Sequence, residues 1–132
     1  MRAASAGLTC IVVAVAMALM LNADAYDGAR WKAGQVAVEA GIAAGEIDAG
    51  FEWVGSHATM GTLAYRKLAG VPAYETWYDQ MFPGFRDCAV VSGSPQGGAA
   101  LQLLGTTTYN ELGFAVRERL YIYVVRSPGC RP

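Results

Sequence analysis

A single histidine, three cysteines and no run of like charge in 132 residues close off several functions at once. There is no Cys-x-x-Cys pair and no Cys/His cluster, so a zinc site has no ligand set, and neither a metal nor a cofactor is expected. Ten basic and eleven acidic residues are interspersed and sum to −1. That pattern gives neither the basic footprint of a nucleic-acid binder nor a polybasic lipid-binding segment. Ser92-Gly93-Ser94-Pro95 lacks the Gly-x-Ser-x-Gly elbow that exposes a nucleophile between strand and helix. Gly97-Gly98 has no Gly-Lys-Ser/Thr continuation and so makes no phosphate loop.

What the chain does have is an apolar run near its start, Leu8 to Leu21, with no charge between Arg2 and Asp24. As a helix rising about 1.5 Å per residue, that uncharged stretch just reaches the ~30 Å of a bilayer core. Two readings fit it. One is a single membrane-spanning anchor. The other is a cleaved signal peptide, with Arg2 ahead of the apolar core and the small-residue pattern Ala23-Asp24-Ala25 before Tyr26. With positive charge at the short end, both place residues beyond Tyr26 outside the cytoplasm. The expected organisation is an anchor or signal peptide over 1–25 and one extracytoplasmic domain over 26–132.

A remainder of this length suffices for one domain. The 54% hydrophobic fraction and mean hydropathy of +0.26 are raised by the leader. Three Trp, seven Tyr and four Phe still supply an ordinary core. Cys10 lies inside the apolar run, so only Cys88 and Cys130 could pair. An oxidising compartment permits that bridge, but spacing alone does not establish it.

Along the chain, Asp27 is placed to cap a helix over about Gly28 to Ala40, where Ala29, Ala33, Val36, Ala37 and Ala40 recur at helical spacing before Gly41. Trp31 beside that stripe reads as an anchor at a packing seam or at the lipid interface. Ile47, Ala49, Phe51 and Trp53 then alternate with Asp48, Gly50, Glu52 and Val54, which predicts a strand with Phe51 and Trp53 on the core side. Ser56 is placed to cap a second helix carrying Met60, Leu63, Ala64 and Leu68, and a short aromatic helix is expected over Tyr74 to Phe82. Strands are expected at Cys88–Val91, Leu101–Tyr109 and Phe114–Val125, the last two joined by Asn110-Glu111-Leu112-Gly113 as a hairpin. The near-continuous apolar run Leu120 to Val125 predicts a central strand. The fold class is α+β, with mixed α/β as the alternative: an N-terminal membrane helix, then about three helices packed on a sheet of about four strands.

Asp27-Gly28-Ala29-Arg30-Trp31, followed by a helix, by Gly41-Ile42 and by Ile47-Asp48-Ala49-Gly50-Phe51-Glu52-Trp53-Val54-Gly55, resembles a known arrangement. It is similar to the extracytoplasmic domain after the last transmembrane helix of polytopic membrane glycosyltransferases of the protein O-mannosyltransferase-like, lipid-phosphate-sugar-dependent class, bacterial members especially. Arg119-Leu120-Tyr121-Ile122-Tyr123 looks like the closing strand of such domains. The resemblance implies a membrane helix ahead of the domain, and a chain that is the terminal piece of such a transferase or a separately encoded partner of one. The family's catalytic acidic residues sit in an early loop between the first transmembrane helices, and many helices hold the lipid-linked donor. This chain has no counterpart of either, so no catalytic residue is carried over.

Four residues remain as functional candidates: Asp48, Glu52, Trp53 and His57. Paired carboxylates run glycosyl chemistry, but four positions apart on a strand they would stand about 13 Å apart at ~3.3 Å per residue. A solvent-facing edge suits them better. His57 follows Gly55-Ser56 at the expected strand end, where a capping or packing role competes with a catalytic one. The leading expectation is therefore a non-catalytic domain that packs on or assists a membrane-embedded sugar transferase. A small secreted binding domain is the alternative, and a hydrolase using His57 and a serine comes last.

Overall fold

The computed structural model describes residues 2–57, 85–113 and 115–130. Within them the chain is an α+β protein with one long helix, one short helix and a four-stranded mixed sheet. Helix α1 is Arg2–Glu39 and runs unbroken through the expected boundary at Asp27. Asp27 is therefore mid-helix rather than a cap, because Ala23 to Ala29 holds no proline and its single glycine, Gly28, is tolerated inside a helix already under way.

The helix ends where expected. Gly41 adopts φ 94°, its N–H donates to the Val38 carbonyl, and the Ile42 N–H donates to the Ala37 carbonyl. This paired closure with a left-handed glycine is the Schellman arrangement, and the apolar contact that accompanies it joins Ile42 to Ala37, both buried.

A 3-10 turn over Ala44–Glu46 leads into β1, Ile47–Asp48. Strands β2 (Ala89–Ser92), β3 (Leu101–Asn110) and β4 (Arg117–Val125) complete the sheet in the order β1-β2-β4-β3. Strand β1 pairs parallel with β2, and β4 lies antiparallel between β2 and β3. The apolar C-terminal strand is thus central, as its composition requires. Ile122 pairs with Val91 on one side and Gly105 on the other, and is fully buried.

The core lies between α1 and one sheet face. Ala29, Ala33 and Ala37, four apart, present a buried stripe of small residues, which lets the helix backbone approach Leu120 and Ile122 closely. On the opposite face Tyr123 is buried, and its hydroxyl accepts the Gln96 N–H. A disulfide joins Cys88, the residue before β2, to Cys130, with Cα atoms 5.1 Å apart.

The strand expected through Trp53 stops at Asp48. Asp48 Oδ1 accepts the Gly50 N–H, an Asx turn, and Gly50 at φ 105° turns the chain into α2, Phe51–His57. Helical rather than extended spacing separates Phe51 from Trp53: Trp53 and Val54 are buried, while Phe51 is 45% exposed. Ser56 starts no helix; it lies within α2, and its hydroxyl donates back to the Trp53 carbonyl. The helices expected at Met60 to Leu68 and at Tyr74 to Phe82 fall outside the described residues.

Candidate functional site

Three of the four candidate residues, Asp48, Trp53 and His57, lie on a seam where α2 and the turn before it meet the second half of α1. Two contacts build it. In the first, the Arg30 guanidinium reaches from α1 over the turn: Nε donates to the Ala49 carbonyl at 2.9 Å, one terminal nitrogen donates to the Tyr26 hydroxyl at 3.3 Å, and the other stands 3.9 Å from Asp48 Oδ1. A side chain on Gly50 would collide with this guanidinium, since a Cβ there would lie 2.7 Å from its central carbon. The site therefore needs glycine for space as well as for its positive φ.

In the second contact, Trp53 lies flat on α1 at Gly34. A Cβ at Gly34 would fall 2.7 Å from the indole ring, so only glycine admits the tryptophan at this depth. The indole N–H donates to the Ala44 carbonyl at 3.1 Å, so a buried polar edge is satisfied. Trp31 meets the indole edge-on at 5.1 Å between centroids, and the His57 ring stacks on it at 4.1 Å. Trp31 is thus an anchor at a packing seam, one of the two roles its position suggested.

This assembly separates the candidates. Asp48 is taken up by Gly50 and Arg30 and fixes a turn. Glu52 is exposed on the outer side of α2, in its first turn, where a negative charge complements the helix dipole. The pair shares no strand face, and the helical turn replaces the extended geometry expected for it. Trp53 and His57 do come together, and with Trp31, Gln35, Val38, Glu39 and Ala44 they line an open groove of about 310 Å³.

His57 has a serine beside it. Ser56 Oγ and His57 Nδ1 are 2.9 Å apart, but the Trp53 carbonyl lies 2.9 Å from each of them and draws both into local bonds of their own helix. Among the described residues no carboxylate bonds to the other ring nitrogen, so the third member that would orient a catalytic imidazole is missing. The groove's chemistry is that of a shelf for binding: two indoles and an imidazole, with one amide and one carboxylate on the α1 rim. No group of three or more His, Cys, Asp or Glu that could hold a metal occurs among the described residues.

Arg30, Gly34, Gln35, Val38 and Glu39 are not among the candidates that the sequence put forward. A signal existed for most of them: Trp31, Gln35, Val38 and Glu39 recur at spacings of four, seven and eight, one face of a helix. Comparison of the chain with protein-family models, with curated proteins and with solved structures finds no match.

Proposed function

We propose that this chain is a non-catalytic domain held outside the cytoplasm by a retained N-terminal membrane span, where it packs on or assists a membrane-embedded sugar transferase of the lipid-phosphate-sugar-dependent class. The observation that carries the anchor is the continuity of α1. The residues of the possible cleavage pattern are helical and tied to the domain: Asn22 Oδ1 accepts the Leu112 N–H at 2.9 Å, Ala25 is half-buried, and Tyr26 packs edge-on against Tyr109 at 5.5 Å. Cleavage after Ala25 would remove the first of these contacts. The Cys88–Cys130 disulfide suits an oxidising compartment on the far side of the membrane.

The assisting role draws on the resemblance of Asp27–Trp31 and Ile47–Gly55 to the terminal domain of such transferases. Those two segments meet in space at the Arg30 clamp and the Trp31–Trp53 contact. The non-catalytic reading draws on the structural employment of Asp48 and the outward position of Glu52. The groove at Trp31, Trp53 and His57 is then the surface best suited to hold an acceptor segment.

The test is sugar transfer from a lipid-phosphate-linked donor in membranes that contain a polytopic transferase of this class from the same cell, with and without this chain. Transfer should fall without the chain and be restored equally by wild type, Asp48→Asn and Glu52→Gln. Unchanged transfer in its absence would sink the assisting role, and a stably folded carboxylate variant that fails to restore it would make the domain catalytic.

A further inference from the structure

The β3–β4 hairpin carries apolar side chains where a soluble turn has no use for them. Its connection, Glu111–Gly113 and on to β4, is closed by the Glu111 N–H donating to the Val116 carbonyl and the Ala115 N–H donating to the Glu111 carbonyl. Leu112 takes φ 51°, a left-handed conformation that glycine or asparagine adopts more easily. It is nevertheless 36% exposed, and Val116 is 52% exposed. A leucine in this conformation that leaves over a third of its surface exposed is not explained by burial in the core.

The height of this tip along α1 is fixed. Its Leu112 N–H is bonded to Asn22, the residue directly after the apolar run ends at Leu21. Tyr26 and Tyr109, edge-on to each other, lie about 6 Å further along the helix at 1.5 Å per residue. That is the depth of the headgroup layer outside a bilayer core, where tyrosine concentrates. The polar groups nearby fit the same level. Glu111 is half-buried, and Arg117 directs its guanidinium back along the hairpin to Thr108 Oγ1 at 3.2 Å.

We infer that the hairpin tip around Leu112 and Val116 is a second membrane contact, seated in the lipid interface beside the span and continuous with its apolar surface. This rests on the anchor reading above and specifies how the domain sits on its bilayer. With the tip in the interface, the domain has two points of attachment, and its sheet stands at a fixed angle to the membrane.

The experiment uses the full chain, oxidised at Cys88–Cys130, in phosphatidylethanolamine–phosphatidylglycerol vesicles. In a Cys10→Ser background, an environment-sensitive fluorophore is attached in turn at Leu112→Cys, Val116→Cys, Gln102→Cys and Val15→Cys. The first two labels should shift to the blue and be quenched by lipids with nitroxides near the headgroup. The Gln102→Cys label, at the opposite end of β3, should remain open to an aqueous quencher. The Val15→Cys label should be quenched by nitroxides deep in the acyl chains. Deep quenching at Val15→Cys with water-exposed labels at the tip would overturn the hairpin contact and leave the anchor standing. A blue-shifted tip label that lipid nitroxides fail to reach would mean a protein surface covers it, and would overturn the lipid assignment. Loss of quenching at Val15→Cys would overturn the anchor, and the inference with it.

Discussion

The two halves of α1 are one unbroken helix with opposite relations to their surroundings. From Leu8 to Leu21 the large apolar side chains are between 50% and 68% exposed and cover every side of the cylinder. From Ala29 to Ala37 a single stripe of alanines is buried to 7% exposure or less, and polar residues occupy much of the rest. A helix that is apolar all round suits hydrocarbon, whereas a helix with one narrow apolar stripe suits packing on a sheet. Side-chain size differs in the same sense. In the first half bulk is free to project, while in the second it would push the helix off the strands. The lesson is that hydrophobicity alone does not distinguish the halves; its angular distribution and volume do.

The most direct way to break the comparison is to place the same charge in each half. Ala33→Asp should prevent folding, because an unpaired buried carboxylate costs several kcal/mol against a typical stability of about 5 to 15 kcal/mol. Val13→Asp should leave the domain's melting temperature unchanged but weaken retention in membranes, since an acidic residue at mid-span costs roughly 2.5 to 3.5 kcal/mol of insertion. Thermal melts paired with carbonate extraction read both. An Ala33→Asp domain that melts normally would show that the stripe is not a core.

Removing the disulfide comes next. Cys88 and Cys130 are 42 residues apart, for which chain entropy gives a loss of about 4 kcal/mol on replacing both by serine. The effect should be confined to the domain, with membrane extraction unaltered. Gly34→Ala should follow at roughly 1 to 3 kcal/mol, the usual cost of overpacking, because the added Cβ meets the Trp53 ring. An equivalent Gly7→Ala change in the first half, where nothing lies within 4 Å, should be silent in the same denaturant titration.

The smallest effect is one of pH. Burial, and then the charges of Glu111 and Glu118 and the neighbouring Tyr26, raise the Tyr109 hydroxyl above its ordinary value of 10.0. The folded value lies above the unfolded one, so the stability linked to the neutral ring is complete below about 10 and is lost as pH rises through the raised folded value. Wild type should therefore lose melting temperature above pH 10 more steeply than Tyr109→Phe. Equal slopes would remove Tyr109 as the cause.

Much of this fold was legible in the sequence, and the failures have local causes. Gly41 as a helix end, the β3–β4 hairpin and the central position of Ile122 follow from residue type and period. The Ile47 to Trp53 alternation misled at Phe51, a residue type usually buried that is 45% exposed here. What decided the segment was the Asp48–Gly50 turn, a side-chain-to-backbone bond that no apolar count detects. The Asp27 boundary failed for the converse reason: a good capping residue starts a helix only where none is already running. At the candidate site Trp53 and His57 were found, whereas Arg30 was not, because its partners, Ala49 and Asp48, come from a part of the chain that the strand reading had pointed elsewhere.

The continuity of α1 at Asp27 also has a mechanical consequence. Thirty-eight residues in one helix make a rod of about 57 Å at 1.5 Å per residue, and the helix continues unbroken through Gly28. The domain is therefore not a body on a tether. On the anchor proposed above, it is the head of a lever whose shaft is the span, and its motion is coupled to that of the span. With a tilt of about 20°, common for such spans, the far end at Glu39 is displaced sideways by roughly 9 Å relative to Asn22. Any partner that sets the tilt of the span thereby sets where the groove at Trp31 and Trp53 points, and a partner that grips the groove pulls on the angle of the span.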